Sequence, residues 1–254
     1  MTQMTNGTTA RLRLGYATMM LASRIKWAEP ELRGLRRIIA GGDAVIDIGA
    51  AHGMYTIPLA RLVGPRGRVD SFEPHPRQQS TLRRWKRLLS APQITVKASA
   101  AGREQGQLTM RLPIVLGLPI YGRAHLTDGA APERAGERVR HWPTPTTAID
   151  DWVDEQQIEN VTFIKADVEG FEPQVLEGAA RTITRDLPSL LLEIEDRHLA
   201  RYGNDAAGVV AEIARRWPEY GMYTWVRESW VRTEAVTLGT RNYLFATEAA
   251  LARI

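Results

Sequence analysis

Four stretches of the chain carry residues whose types and spacing would do chemistry. In Val45-Ile46-Asp47-Ile48-Gly49-Ala50-Ala51-His52-Gly53, an apolar run holds one acid and ends in a glycine-bearing turn. Gly49 would let the backbone come close to a ligand, and Gly53 would allow tight entry to a helix. The spacing is not G-x-G-x-x-G, and G-x-x-x-x-G-K-[ST] is absent, so neither a dinucleotide nor a nucleoside triphosphate is supported. The next apolar run ends in Phe72-Glu73-Pro74. A carboxylate there would accept two hydrogen bonds from a ribose diol, as suits a nucleoside with free 2′ and 3′ hydroxyls.

The third stretch is Ile164-Lys165-Ala166-Asp167-Val168-Glu169-Gly170-Phe171-Glu172. Asp167 would face the site from the end of a buried strand. Glu169 and Glu172 would serve either there or as caps of the following helix, where negative charge is favoured. The fourth, Leu192-Glu193-Ile194-Glu195-Asp196, crowds three acids at a strand end. Strand alternation would put Glu193 and Glu195 on one face. With Asp167 they would hold a hard divalent cation or position a substrate hydroxyl; otherwise they pair with Arg197 or Arg201.

Elements must bring these ends together. Strand-like runs fall at 44–50, 68–74, 94–100, 161–167 and 189–195, and helix-like runs follow most of them. That alternation predicts an α/β, doubly wound, mostly parallel sheet with helices on both faces, ligands lying beyond the carboxyl ends of the strands. The runs 222–230 and 242–248, with no helix between them, predict an antiparallel C-terminal strand pair at one edge. Residues 1–40 read as a helical N-terminal extension, split at Glu29–Pro30, with the first ten or so disordered. Residues 41–254 read as the main domain. Within it, 111–147 is rich in Pro, Gly and Arg and is expected to be an acceptor-binding loop.

In this order, IDIGAAHGMYT, FEPHP, ITVKASAAG, TTAIDDW, IKADVEGFEPQVLEGA and PSLLLEIE resemble the FkbM family of class I, Rossmann-like S-adenosylmethionine-dependent methyltransferases. The likeness runs from about Val45 to Glu195, and the IKADVEGFE block with its trailing VLEGA is its most specific part. The resemblance implies S-adenosylmethionine contacts at Asp47, Gly49, Gly53, Tyr55, Thr56 and Glu73, with Pro74 beside it and Ser99 near the adenine. Asp167 would lie near the sulfonium or the acceptor. Ala51-His52 stands where the family often has an asparagine; His52 is counted with the cosubstrate contacts, its role open. Family members methylate hydroxyls of sugars, polyketides and related metabolites, so the expected partner is a small-molecule or oligosaccharide acceptor.

An alcohol needs a base, or a cation that lowers its pKa. Asp167 and Glu193 are the candidates, as direct base or as Mg²⁺ ligands with Glu195; His141 and His198 are weaker base candidates. The chain of 254 residues has no cysteine, which excludes disulfides and thiolate metal sites. No apolar run is long enough to span a bilayer, and no secretory signal opens the chain, so a cytoplasmic protein without a membrane partner is expected. The net charge of +4 gathers around Arg77 to Leu89, whose apolar residues recur at helical spacing; a solvated helix face is expected there, not a nucleic-acid patch. A homo-oligomer is compatible with this composition. A nucleic-acid methyltransferase and a non-catalytic relative of the fold are the competing readings.

Overall fold

Buried on both faces, the apolar runs pair as parallel strands. In the structure, a computed structural model, they are β1 (Ala44–Ile48), β2 (Arg68–Phe72), β3 (Ile94–Lys97), β9 (Val161–Ala166) and β10 (Ser189–Glu193). The structure describes residues 3–120, 124–130 and 138–252, with side chains from Ala10 onward. The sheet has eight strands and continues through β13 (Asn242–Ala246), β11 (Gly221–Val226) and β12 (Ser229–Arg232), in the order β12-β11-β13-β10-β9-β1-β2-β3. The last three are antiparallel to their neighbours, as expected for that edge. The run 222–230, however, is two strands: Arg227 and Glu228 both have positive φ, the conformation that a tight two-residue hairpin turn demands.

Helices cover both faces: α1 (Gln3–Arg24), α2 (Thr56–Val63), α3 (Pro76–Leu88), α4 (Ile149–Glu155), α5 (Glu172–Gly178), α6 (Ala180–Asp186), α7 (Asp196–Leu199), α8 (Ala206–Arg216) and α9 (Glu248–Leu251). Strand alternation divides the core. Ile46, Ile164, Leu190 and Leu192 pack on one side, while Val45, Phe163 and Leu191 pack on the other. None of the described helices is long and apolar enough to cross a membrane.

Helix α1 runs from Gln3, and Met1 and Thr2 lie outside the described residues. One expectation is corrected. The expected loop at 111–147 is mostly strand. A second sheet joins β4 (Ala100–Ala101), β8 (Arg138–Thr147), β5 (Gly106–Val115) and β6 (Leu118–Pro119), and β7 (His125–Leu126) pairs with β5. Strands β5 and β8 stay in register from Gly106↔Thr146 to Ile114↔Arg138. Pro143 and Pro145 hid β8 in the sequence; β4 pairs with β8 only at Thr146 and Thr147, so both prolines sit where β8 is an edge, as prolines in strands do. The parts of the expected loop at 121–123 and 131–137 lie outside the described residues.

Candidate active site

At the carboxyl ends of β1, β2, β9 and β10 lies a cavity of about 300 Å³, within the range that small-molecule ligands occupy. Gly49, Ala51, Phe72, Glu73 and Pro74 line one end, and Asp167, Glu169, Glu193 and Arg241 the other. The second sheet closes over it through Met110, His125, Leu126 and Trp142, and Met110 and Leu126 pack with Phe171 of the β9 turn.

The glycine turn is shaped by its neighbours. Gly49 has φ +74, and a Cβ there would lie 1.9 Å from the Asp167 carbonyl oxygen, so only glycine lets β1 and β9 end side by side. Ala51 is also left-handed, with φ +45. Asparagine tolerates that conformation better than alanine does. The Ala51 amide donates to Glu73 Oε2 at 2.8 Å and the His75 amide to Oε1 at 2.7 Å. Both oxygens keep further lone-pair capacity on the cavity wall. Burial pushes the Glu73 carboxyl up to about 7 against these two hydrogen bonds.

Beneath the turn runs a buried polar seam. Asp47 sits opposite Lys165 in the β1–β9 register. Its Oδ2 accepts from Thr56 Oγ1 at 2.6 Å, and its buried Oδ1 has no close hydrogen-bond partner among the described residues. Burial raises the Asp47 carboxyl despite the Lys165 ammonium. Lys165 itself is buried, with Nζ 3.1 Å from Asp167 Oδ2 and 4.9 Å from the Tyr55 ring centre. Burial works to raise Asp167, but the Lys165 charge and hydrogen bond outweigh it and hold that carboxyl below its ordinary value.

The far end is a chain of ion pairs and hydrogen bonds. Arg241 Nη2 meets Glu193 Oε1 at 2.8 Å; His198 bridges Glu193 and Glu169 at 3.2 Å each; Arg201 Nη1 reaches Glu169 at 3.3 Å. Glu169 is held at φ +58, and Gly170 at φ +101 presses against the His198 carbonyl, where a Cβ would come within 2.3 Å. Left-handed backbone at a non-glycine residue is strain of the kind that collects at functional sites. Burial raises Glu169 to about 6, and it raises Glu193 too, with the Asp167 charge reinforcing it against the His198 hydrogen bond.

Of the residues singled out by sequence, Gly49, Glu73, Pro74, Asp167 and Glu193 line the cavity together. His198 stands directly behind Glu193. Asp47, Tyr55, Thr56 and Gly53 support the turn from below: the Tyr55 hydroxyl donates to Glu29 Oε2 at 2.5 Å, and Thr56 bonds Asp47. Ser99 is buried at the base of the second sheet, its hydroxyl on the Ala100 and Pro145 carbonyls and against Thr147. His52 is exposed, and His141 is exposed on β8 opposite Arg111, outside the cavity lining. Glu172 opens α5, is buried, accepts from the Val168 amide at 2.9 Å, and is pushed up to about 8 by burial.

The metal set Asp167, Glu193 and Glu195 is corrected. The strand ends at Glu193, so alternation does not carry on to Glu195, which turns outward to Arg197 and Arg241. Asp167 is neutralised by Lys165. Among the described residues the group that does converge is Glu169, Glu193 and His198, with ligand atoms within 4.8 Å of one another. An imidazole suits Mg²⁺ poorly, and Arg241 and Arg201 already balance both carboxylates. These residues do not fit Mg²⁺.

The sequence reading missed Lys165, Glu29 and Arg241. A lysine inside an otherwise apolar strand was the available signal for the first. For Glu29 it was the proline after it, which holds Glu29 extended (φ −65, ψ 136); its carboxylate lines the cavity and also accepts from Asn242 Nδ2 at 2.9 Å. No local signal marks Arg241.

The donor set fits S-adenosylmethionine: Glu73 keeps acceptor capacity that a diol could use, and five carboxylates (Glu29, Glu73, Asp167, Glu169, Glu193) stand against one guanidinium on the cavity wall, as suits a cation. Sheet order and site together define the Rossmann-like fold of class I methyltransferases. The family model described as methyltransferase FkbM domain matches residues 47–221, and the chain belongs to this S-adenosylmethionine-dependent methyltransferase family. The structure of methyltransferase FkbM from Methylobacillus flagellatus KT is 22% identical with a TM-score of 0.51, over 80% of this chain and 43% of that one. This chain thus spans less than half the length of that relative. The O-methyltransferase from Bacillus cereus in complex with SAH is 13% identical with a TM-score of 0.50, over 91% of this chain and 89% of that one. At these identities both likenesses speak for the fold alone. No curated protein matches the chain.

Proposed function

We propose that the chain methylates a hydroxyl of a carbohydrate or a secondary metabolite, with Glu193 as the general base and no metal. The observation that supports this is the asymmetry between two carboxylates at one end of the cavity. Lys165 holds Asp167 ionised, which makes it a weak base and a firm anchor for a ligand ammonium or hydroxyl. Burial and the Asp167 charge raise Glu193 above its ordinary value, which makes it the stronger base of the two. Arg241 and His198 grip its two oxygens and fix its aim.

Bound S-adenosylmethionine supplies an electrophilic methyl carbon. Glu73 would orient the ribose and the glycine turn would receive the rest of the nucleoside. Glu193 would take the proton from the acceptor hydroxyl as the methyl carbon bonds that oxygen and its bond to sulfur breaks, the neutral thioether leaving, while His198 stands between Glu193 and Glu169 and holds both in place. Trp142 and the apolar edge of the second sheet would exclude water and present a flat wall to a ring.

The test is a panel of oligosaccharides and polyketide-like alcohols incubated with S-adenosylmethionine, with product identified by mass and NMR. Glu193→Gln should lower kcat by at least about 10²-fold and leave donor affinity within twofold. Methylation at nitrogen or carbon, or full activity of Glu193→Gln on a methylated hydroxyl, would overturn the reading.

A further inference from the structure

The sequence alone expected no membrane partner, because no run spans a bilayer; a helix lying in the interface plane needs no span. We infer that the outer face of α1, together with the adjoining end of α3, docks on an anionic lipid surface.

The face is apolar where the fold gives it no partner. Helix α1 packs inward through Leu12 and Gly15, the latter lying against Ile57 and Leu89, so the end of α3 abuts the middle of α1. Its opposite side carries Leu14 and Leu21 at 71% and 60% exposure; Ile25, 54% exposed and one residue past the helix end with its amide on the Leu21 carbonyl at 3.2 Å, extends that stripe, and Trp27 just beyond is 86% exposed. Trp85 and Leu88 continue the exposed apolar surface on α3. Scattered single hydrophobic residues need no explanation, but a stripe with a tryptophan at its end does.

The charge around it is of one sign. Residues 10–27 hold Arg11, Arg13, Arg24 and Lys26, and α3 holds Arg77, Arg83, Arg84, Lys86 and Arg87, with no acid in either segment. These segments carry +9 in a chain of net +4, so everything else is −5 (+4 less +9). Basic residues flanking Leu, Ile and Trp match a surface with anionic headgroups above an acyl boundary. A nucleic acid offers charge and stacking but no apolar interior for Leu14, Leu21 and Ile25. A second copy would set +9 against +9.

Flotation of the full chain with phosphatidylcholine vesicles, with and without one third phosphatidylglycerol, tests this. Binding should be at least tenfold stronger to the anionic vesicles and should weaken as salt rises. Leu21→Glu/Ile25→Glu and, separately, Arg24→Glu/Lys26→Glu should each lower it at least tenfold. Circular dichroism and S-adenosylmethionine binding should not change, since all four side chains are exposed. No preference for anionic vesicles, or equal binding by Leu21→Glu/Ile25→Glu, overturns the inference. So does a dimer in sedimentation velocity that Leu21→Glu/Ile25→Glu breaks while vesicle binding is absent, or binding of an oligoribonucleotide in its place.

Discussion

Replacing Lys165 by methionine should be among the most damaging single changes at the site, although Lys165 is not part of the cavity wall. Its Nζ lies 3.1 Å from Asp167 Oδ2 in a buried setting and opposite Asp47 in register. At that separation and an effective dielectric near 20, the Coulomb attraction is about 5 kcal/mol. Much of it is offset by the desolvation of both ions, but the variant keeps the desolvation of Asp167 and loses the attraction. Breaking a buried pair from one side costs about 3–5 kcal/mol. Urea unfolding at pH 7.5 should show that loss in Lys165→Met. Lys165→Met/Asp167→Asn should recover at least about 2 kcal/mol of it, since the stranded charge is gone. The pH dependence carries a sign of its own. Because Asp167 is held below its ordinary 3.8, its contribution is present above that pH and is lost as pH falls through the lower, folded value. The gap between wild type and Lys165→Met should therefore narrow on acidification. A loss under about 1 kcal/mol in Lys165→Met, or a strictly additive double variant, would refute the account.

Glu73→Ala should weaken S-adenosylmethionine binding at least tenfold by calorimetry, and should also destabilise the free protein by about 1–3 kcal/mol, because the Ala51 and His75 amides lose their acceptor; normal affinity would remove Glu73 from the ribose site. Glu31 and Glu73 are raised by burial to about 7 and Glu172 to about 8, so the folded state holds protons that the unfolded state releases from about 4.5 upward. Stability of the ligand-free protein should fall as pH rises from 5.5 to 8, and a higher Tm at pH 8 would contradict these assignments. Turnover should persist after dialysis against EDTA; abolition with rescue by Mg²⁺ would reinstate a metal. Ala51→Gly should raise stability by up to about 1 kcal/mol by relieving the left-handed alanine, as read from the urea midpoint.

The parallel strands were legible as short runs, four of the five closed by a Gly or an acid. Glu73, Asp167 and Glu193 were legible as acids at strand ends. What escaped was set by contacts distant in sequence. Lys165 gains its meaning only from Asp47 across the β1–β9 ladder. Arg241 arrives from the segment before the last strand of the sheet, and no local pattern shows that it meets Glu193. The second sheet was read as a loop because its prolines argue against strands, and their edge position is a property of β4 pairing, not of β8 itself.

The acid-rich cavity sets a constraint on catalysis. Carboxylates that attract a cationic methyl donor also stabilise it before reaction, and that charge disperses as the methyl leaves; attraction of the ground state alone raises no rate. Burial moderates this. Glu73 is raised to about 7 and Glu169 to about 6, so near neutral pH the wall carries less than its full formal charge. The acid held firmly ionised is Asp167, with Lys165 directly beside it. The pair presents little net charge, while the fixed oxygen still directs a hydrogen bond. At the same end, Arg241 balances Glu193, and His198 holds its other oxygen. The site thus combines a weak overall field with sharply placed oxygens, which favours orientation of the acceptor over indiscriminate holding of the donor.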